Sequence, residues 1–113
     1  MNFTIEKEHD MTIFRLHESR LDTLSSPKVK AELLILCQED VHVLIVDLSS
    51  VEFCDSSGLS ALLLAERQMR GKEGGVLVVD STGKVRALLG VAKLESIIPS
   101  FATLAEARAA LEE

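Results

Sequence analysis

VHVLIVDLSSVEFCDSSGLSALLLAERQM, residues 41–69, joins two apolar segments of different period across one polar knot. Val41 to Leu48 is a β-branched run with almost no polar alternation, as expected of a central strand covered on both faces. Leu59, Leu62, Leu63 and Met69 recur at helical spacing, so a helix is expected from near Ser56 to Gly71. A buried strand that runs directly into an amphipathic helix is the first half of a right-handed crossover unit.

The flanking sequence extends this pattern. Asn2 to Glu8 alternates with Phe3 and Ile5 on one face, and Met11 to His17 alternates again with Phe14 and Leu16 together. The polar break Lys7-Glu8-His9-Asp10 between them predicts a turn, hence a hairpin. Ser25-Ser26-Pro27 predicts a helix start, with a hydroxyl at the cap and Pro at the first helical position. Val29, Leu33, Leu36 and Cys37 carry that helix to about Gln38. Downstream, Gly74-Gly75 introduces a buried strand at Val76–Val79, and Val85, Leu88 and Leu89 mark a short helix closed by Gly90. Ile97-Ile98 reads as a last short strand before Pro99, and Thr103 to Leu111 as a final helix. Without repeats or linkers, the chain reads as one α/β domain over residues 1–113, its sheet packed against helices.

Composition narrows the function. Aromatics are 4% of the 113 residues, with no Trp or Tyr, which removes the stacking platforms that single-stranded nucleic acid wants. A net charge of −6 with scattered Lys and Arg repels phosphate backbones and anionic bilayers, so no nucleic acid and no membrane surface is expected as partner. Cys37 and Cys54 have no metal spacing and read as reduced, small hydrophobes. The start, MNFTIEKEHD, lacks the features of a signal peptide, and no apolar run approaches the ~20 residues of a membrane span. A cytoplasmic protein is expected, without cofactor or metal.

The densest chemistry lies in Phe53-Cys54-Asp55-Ser56-Ser57-Gly58-Leu59. A helix start leaves amide groups unpaired and carries partial positive charge. Asp55 or Ser56 as helix cap is one reading; a phosphoserine meeting those amides is the other. Gly58 costs a helix about 1 kcal/mol relative to Ala, which fits a close approach to that backbone. A hydrolase elbow needs Gly two positions either side of the serine; Ser56 has Cys54 before it and Ser57 has Asp55 and Leu59 around it. His9, His17 and His42 fall in a turn and in strands with no sign of converging. Asp47 ends a strand as a phospho-accepting receiver aspartate would, but no acidic pair follows the first strand to hold Mg²⁺. Asp22 reads as a carboxylate that fixes its own loop.

Two segments together resemble the STAS domain family, and within it the stand-alone bacterial anti-sigma-factor antagonists. They are Arg20-Leu21-Asp22-Thr23-Leu24-Ser25, similar to a G-x-L-D-T stretch, and Val46-Asp47-Leu48 leading to Asp55-Ser56-Ser57-Gly58-Leu59. Ser19 stands where the family usually has Gly. The resemblance implies a four- to five-stranded, mostly parallel sheet with an N-terminal hairpin and about four helices mainly on one face. It implies that Ser56 is phosphorylated by an anti-sigma factor that doubles as a serine kinase, and reset by a phosphoserine phosphatase. The unphosphorylated form then binds that kinase and frees a sigma factor. Asp22, Thr23, Asp55, Ser57, Gly58 and Leu59 are implied as the docking surface, with Ser57 supporting the turn. A structural, unphosphorylated STAS subunit of a stress-signalling or lipid-transport assembly is the alternative, and a homodimer is left open.

Overall fold

The computed structural model describes residues 1–9, 11–72 and 74–112. β1 (Phe3–Glu8) and β2 (Met11–Leu16) form the hairpin, antiparallel from Phe3↔Leu16 to Glu8↔Met11. β1 runs on through Glu8, and the turn comes at His9, whose φ is 48°. Asp10, the last residue of the predicted turn, lies outside the described residues. β3 (Arg20–Leu21), α1 (Ser26–Gln38), β4 (Val43–Asp47), β5 (Phe53–Cys54) and α2 (Ser56–Met69) follow. β6 (Gly75–Val79), α3 (Lys84–Val91), β7 (Ser100–Phe101) and α4 (Leu104–Leu111) complete the order. The main sheet has five strands in the order β1-β2-β4-β6-β7, parallel throughout except for the hairpin.

Both faces of the sheet are covered, but unequally. Phe14, Leu16, Leu44, Val46, Val76 and Val78 pack against α1, α2 and α3 in the larger core. From the helices that core takes Val29, Leu33, Leu62, Met69 and Leu89. On the other face Ile13, Ile45, Leu77 and Val79 meet Leu104, Ala107 and Leu111 of α4. The alternation seen in residues 11–17 therefore does not mark a solvent face: α4 buries Ile13 as completely as the larger core buries Phe14. Phe3 of the edge strand stacks on Phe14 with ring centroids 5.2 Å apart.

Three local expectations are corrected. Ile97-Ile98 is not a strand; Ile98 plugs the larger core from a turn, and its amide donates to Leu94 O at 2.8 Å. The ladder starts after Pro99, whose carbonyl accepts from Val78 N and whose missing N–H stays out of the pairing. Gly90 lies within α3, and the left-handed residue beyond the helix is Lys93, with φ 60°. The expected hydroxyl cap before Pro27 is absent: Ser26 is the first residue of α1, and Ser25 before it has a helical backbone and a hydroxyl that accepts from Asp22 N and donates to Arg20 O. Pro27 is accordingly the second residue of α1, still within the turn whose amides need no partner.

Beyond β6, the fully buried Asp80 organises the entry to α3. Its two carboxylate oxygens accept from Thr82 N, Thr82 Oγ1, Val85 N and Arg86 N at 3.1, 2.7, 2.8 and 3.3 Å. Asp80→Ala leaves the buried Val85 amide without its partner and should lower the unfolding free energy by about 1–3 kcal/mol, read from urea denaturation.

Candidate functional site

The chemistry gathers at the carboxyl edge of the parallel strands. After β4, the chain turns through Asp47, whose Oδ1 accepts from Ser49 N at 3.0 Å and whose Oδ2 accepts from Arg15 Nε at 3.3 Å. Asp47 is thus a strand terminator, engaged within the fold. β5 then pairs in parallel with β3, Arg20 opposite Phe53 and Leu21 opposite Cys54. This second, two-stranded sheet had no counterpart in the sequence reading. Ser19 O accepts from Glu52 N and Phe53 N, and Leu21 O accepts from Asp55 N at 3.3 Å, so RLD and FCD run side by side. Ser19, at the position where glycine is usual, does not adopt a left-handed backbone.

Asp55 is the cap of α2. Its Oδ1 accepts from Ser57 N at 2.9 Å and Gly58 N at 3.4 Å, and from the Ser57 hydroxyl. Ser56 is the first residue of the helix, exposed, and its hydroxyl makes no side-chain hydrogen bond among the described residues. The two serines are therefore unequal: Ser57 is tied into the cap, and Ser56 is not. Two of the amides expected to be open at this helix start, those of Ser57 and Gly58, are already donated to Asp55.

Gly58 is buried, and the close approach it permits is internal. A Cβ there would lie 2.6 Å from Cys54 Sγ, 2.8 Å from Leu21 Cγ and 3.0 Å from Leu21 O. The glycine thus lets α2 seat directly on the β3–β5 pair. Burial pushes the Cys54 thiol up to about 11, with Asp55 and Asp80 adding to it, so this cysteine stays protonated and unreactive. Leu59 is half-buried and packs on the larger core.

Asp22 stands next to this cap. Its Oδ1 accepts from Leu24 N at 3.0 Å and Ser25 N at 3.4 Å, and its Oδ2 from Arg20 Nε at 2.9 Å. The carboxylate does fix its own loop, and it leaves Thr23 and Leu24 exposed, Leu24 to 91%. The Arg20 bond holds the Asp22 carboxyl below its ordinary value; the Ser57 hydroxyl, followed by the two amides, does the same for Asp55. The negative charge of Asp22 opposes this at Asp55, which places the two carboxylates in each other's field.

An open groove of about 400 Å³ runs between β5 and α3, lined by Glu52, Phe53, Cys54, Lys84, Ala87, Leu88 and Val91. Phe53 and Val91 are 43% and 82% exposed. Their exposure was not foreseen, because a lone apolar residue in a two-residue strand or at a helix end carries no period. The histidines do not converge on Ser56: His9 and His42 precede β2 and β4 at the opposite edge, and His17 Nε2 bonds Thr4 Oγ1 at 3.0 Å. Among the described residues no group of three His, Cys, Asp or Glu is placed to hold a metal ion, and no helix is long and apolar enough to cross a membrane.

A hairpin-edged parallel sheet with a serine presented at an acid-capped helix start defines a small α/β domain whose chemistry is on its surface. The chain belongs to the STAS domain family, whose sequence model matches residues 2–107. It is similar to the anti-sigma-B factor antagonists of Listeria monocytogenes and Listeria innocua, 30% identical over 102 residues, covering 87% of this chain and 88% of each relative. Its fold is that of an anti-sigma factor antagonist from Mycobacterium paratuberculosis (TM-score 0.88, 24% identity, 99% of this chain and 94% of that one). It is also that of SpoIIAA of Bacillus in its phosphorylated form (TM-score 0.72, 21% identity, 97% of this chain and 99% of that one). The expected sheet, hairpin and four helices, three on one face, are all present.

Gly58→Ala gains about 1 kcal/mol of helix propensity, yet should lower stability by about 1–3 kcal/mol because the new methyl meets Leu21 and Cys54. Adding Cys54→Ala should recover part of the loss in urea denaturation. A second expectation follows from the lowered carboxyls. A group whose folded pKa lies below its ordinary 3.8 adds stability above that value and loses it as pH falls through the folded pKa. Unfolding free energy should therefore decline below about pH 4, and decline less steeply in Asp55→Ala.

Proposed function

We propose that this chain is an anti-sigma factor antagonist switched by phosphorylation of Ser56. Unphosphorylated, it binds an anti-sigma factor that is also a serine kinase and so frees a sigma factor; a phosphoserine phosphatase restores that form. It acts by binding, with no catalysis of its own. The observation that carries the assignment is the inequality of the two serines. Ser57 donates its hydroxyl to Asp55, whereas Ser56 is exposed and uncommitted at the tip of α2. The names of its Listeria relatives, and the existence of SpoIIAA in phosphorylated and unphosphorylated forms, support the reading.

The docking surface is the first turn of α2, with Asp55, Ser57, Gly58 and Leu59, together with the Asp22–Thr23 loop beside it. Gly58 and Leu59 serve it from within, by seating the turn. A phosphoryl group adds about −1.5 to −2 charge to a chain of net charge −6. It arrives beside Asp55 and Asp22, where the Ser57 and Gly58 amides are already taken. A partner closing over it must strip a dianion of water without a counter-charge from this chain's own turn, which costs far more than the contact returns. The bland reading, in which the turn is only a cap, accounts for Asp55 and Ser57 but not for the exposed Ser56 between them.

With the cognate kinase and ATP, Ser56→Ala should accept no phosphate and stay bound, Ser57→Ala should still be phosphorylated, and Ser56→Asp should bind at least tenfold more weakly. Phosphopeptide mapping and affinity measurement check this. Phosphate recovered on Ser57, or on wild type and Ser56→Ala alike, overturns the site.

A further inference from the structure

Arg20 is not among the docking residues named above, yet it touches both strands that build the surface. Its Nε donates to Asp22 Oδ2 at 2.9 Å, and its guanidinium carbon lies 4.3 Å from the centroid of the Phe53 ring. Arg20 is also the register partner of Phe53, in a ladder of only two residue pairs, Arg20↔Phe53 and Leu21↔Cys54. Two pairs do not sustain a sheet by themselves. One step further along the two chains, Asp22 follows Leu21 and Asp55 follows Cys54, and like charges facing each other push the chains apart. Among the described residues, Arg20 is the one cation in an ion pair with either carboxylate. Asp22 in turn holds the amides of Leu24 and Ser25, so the whole loop depends on where that carboxylate is held.

We propose that Arg20 is a positioning residue: stacked on Phe53 and paired with Asp22, it holds the Asp22–Thr23 loop against the Ser56 turn and thereby sets how tightly a kinase-type anti-sigma factor docks. This rests on the functional reading above. The guanidinium does two things at once that a compact ammonium cannot: its carbon sits over the ring while its Nε donates to the carboxylate. Its side chain is 60% exposed, so the clamp lies at the surface and is not part of the core.

The test compares wild type, Arg20→Gln, Arg20→Lys and Phe53→Leu, all unphosphorylated, for affinity to the cognate anti-sigma kinase at low and high salt. Amide NMR spectra of the free chains are recorded alongside. Arg20→Gln should bind about three- to tenfold more weakly, with a parallel rise in the KM of phosphorylation. The Leu24 and Ser25 amide resonances should move in the same variant. Arg20→Lys should recover affinity at low salt and lose it at high salt, since it keeps the charge without the stacked geometry. Phe53→Leu should fall between wild type and Arg20→Gln. Unchanged affinity in Arg20→Gln overturns the proposal, as does weaker binding with the two amides unmoved, which would make Arg20 a direct contact. A wild-type chain that captures no such kinase defeats the functional reading instead, and the two amides alone then decide whether Arg20 holds the loop.

Discussion

The Asp55 carboxylate is the constraint that joins the fold to the site. Its oxygen takes the first amides of α2, which fixes where that helix begins and how it points. From that start Ala61, Leu62, Ala65 and Met69 fall on the core side, with α2 against β6 and beside α1. The Asp55 amide is donated backward to Leu21 O, so one residue ties the helix to the β3–β5 pair as well. Ser56 is left outside all of this because its neighbour already does the capping. A helix needs one cap; once Asp55 supplies it, the next hydroxyl is surplus to the fold.

Legibility in the sequence tracked the length of each periodic signal. The run at Val43–Asp47 and the leucines of α2 are long enough to show their periods, and both segments form as expected. Phe53-Cys54 and Arg20-Leu21 are two-residue strands, too short for any period, and they pair across 33 positions of sequence. Their sheet was therefore invisible, although both segments had stood out for their polar residues. Ile97-Ile98 misled because a β-branched pair fits a buried plug as well as a strand. At the site, Asp55 and Ser56 were legible as alternatives for one role. Only the hydrogen bonds separate them, since Asp and Ser are both good caps and their order along the chain does not say which one turns inward.

Gly58 shows a further kind of ambiguity. A glycine in the first turn of a helix signals that something comes close, but not what. Here the approaching groups are Leu21 and Cys54 of the same chain, within 3 Å of where a side chain would begin. The consequence is a turn with no room on its inner side for even a methyl group. The small second sheet, the glycine and the Asp55 cap all remove freedom from the turn that carries Ser56.

That rigidity determines what kind of switch the turn can support. A helix start with open amides would draw a phosphate inward and neutralise it, at the expense of any cap already there. In this chain Ser57 N and Gly58 N are occupied, and the carboxylate occupying them is held below its ordinary pKa, so it remains ionised across neutral pH and does not yield. On the proposed reading, a phosphoryl group on Ser56 would find the Ser57 and Gly58 amides occupied and would be repelled by Asp55 and Asp22. Since the backbone beneath is locked by Leu21 and Cys54, the domain has little shape to change. What changes is the cost of dehydrating the surface. The same carboxylate that makes the helix start stable would therefore, on the proposed reading, make a phosphorylated surface hard to bury, and a partner that fits the free hydroxyl would be displaced by charge without any rearrangement of the fold.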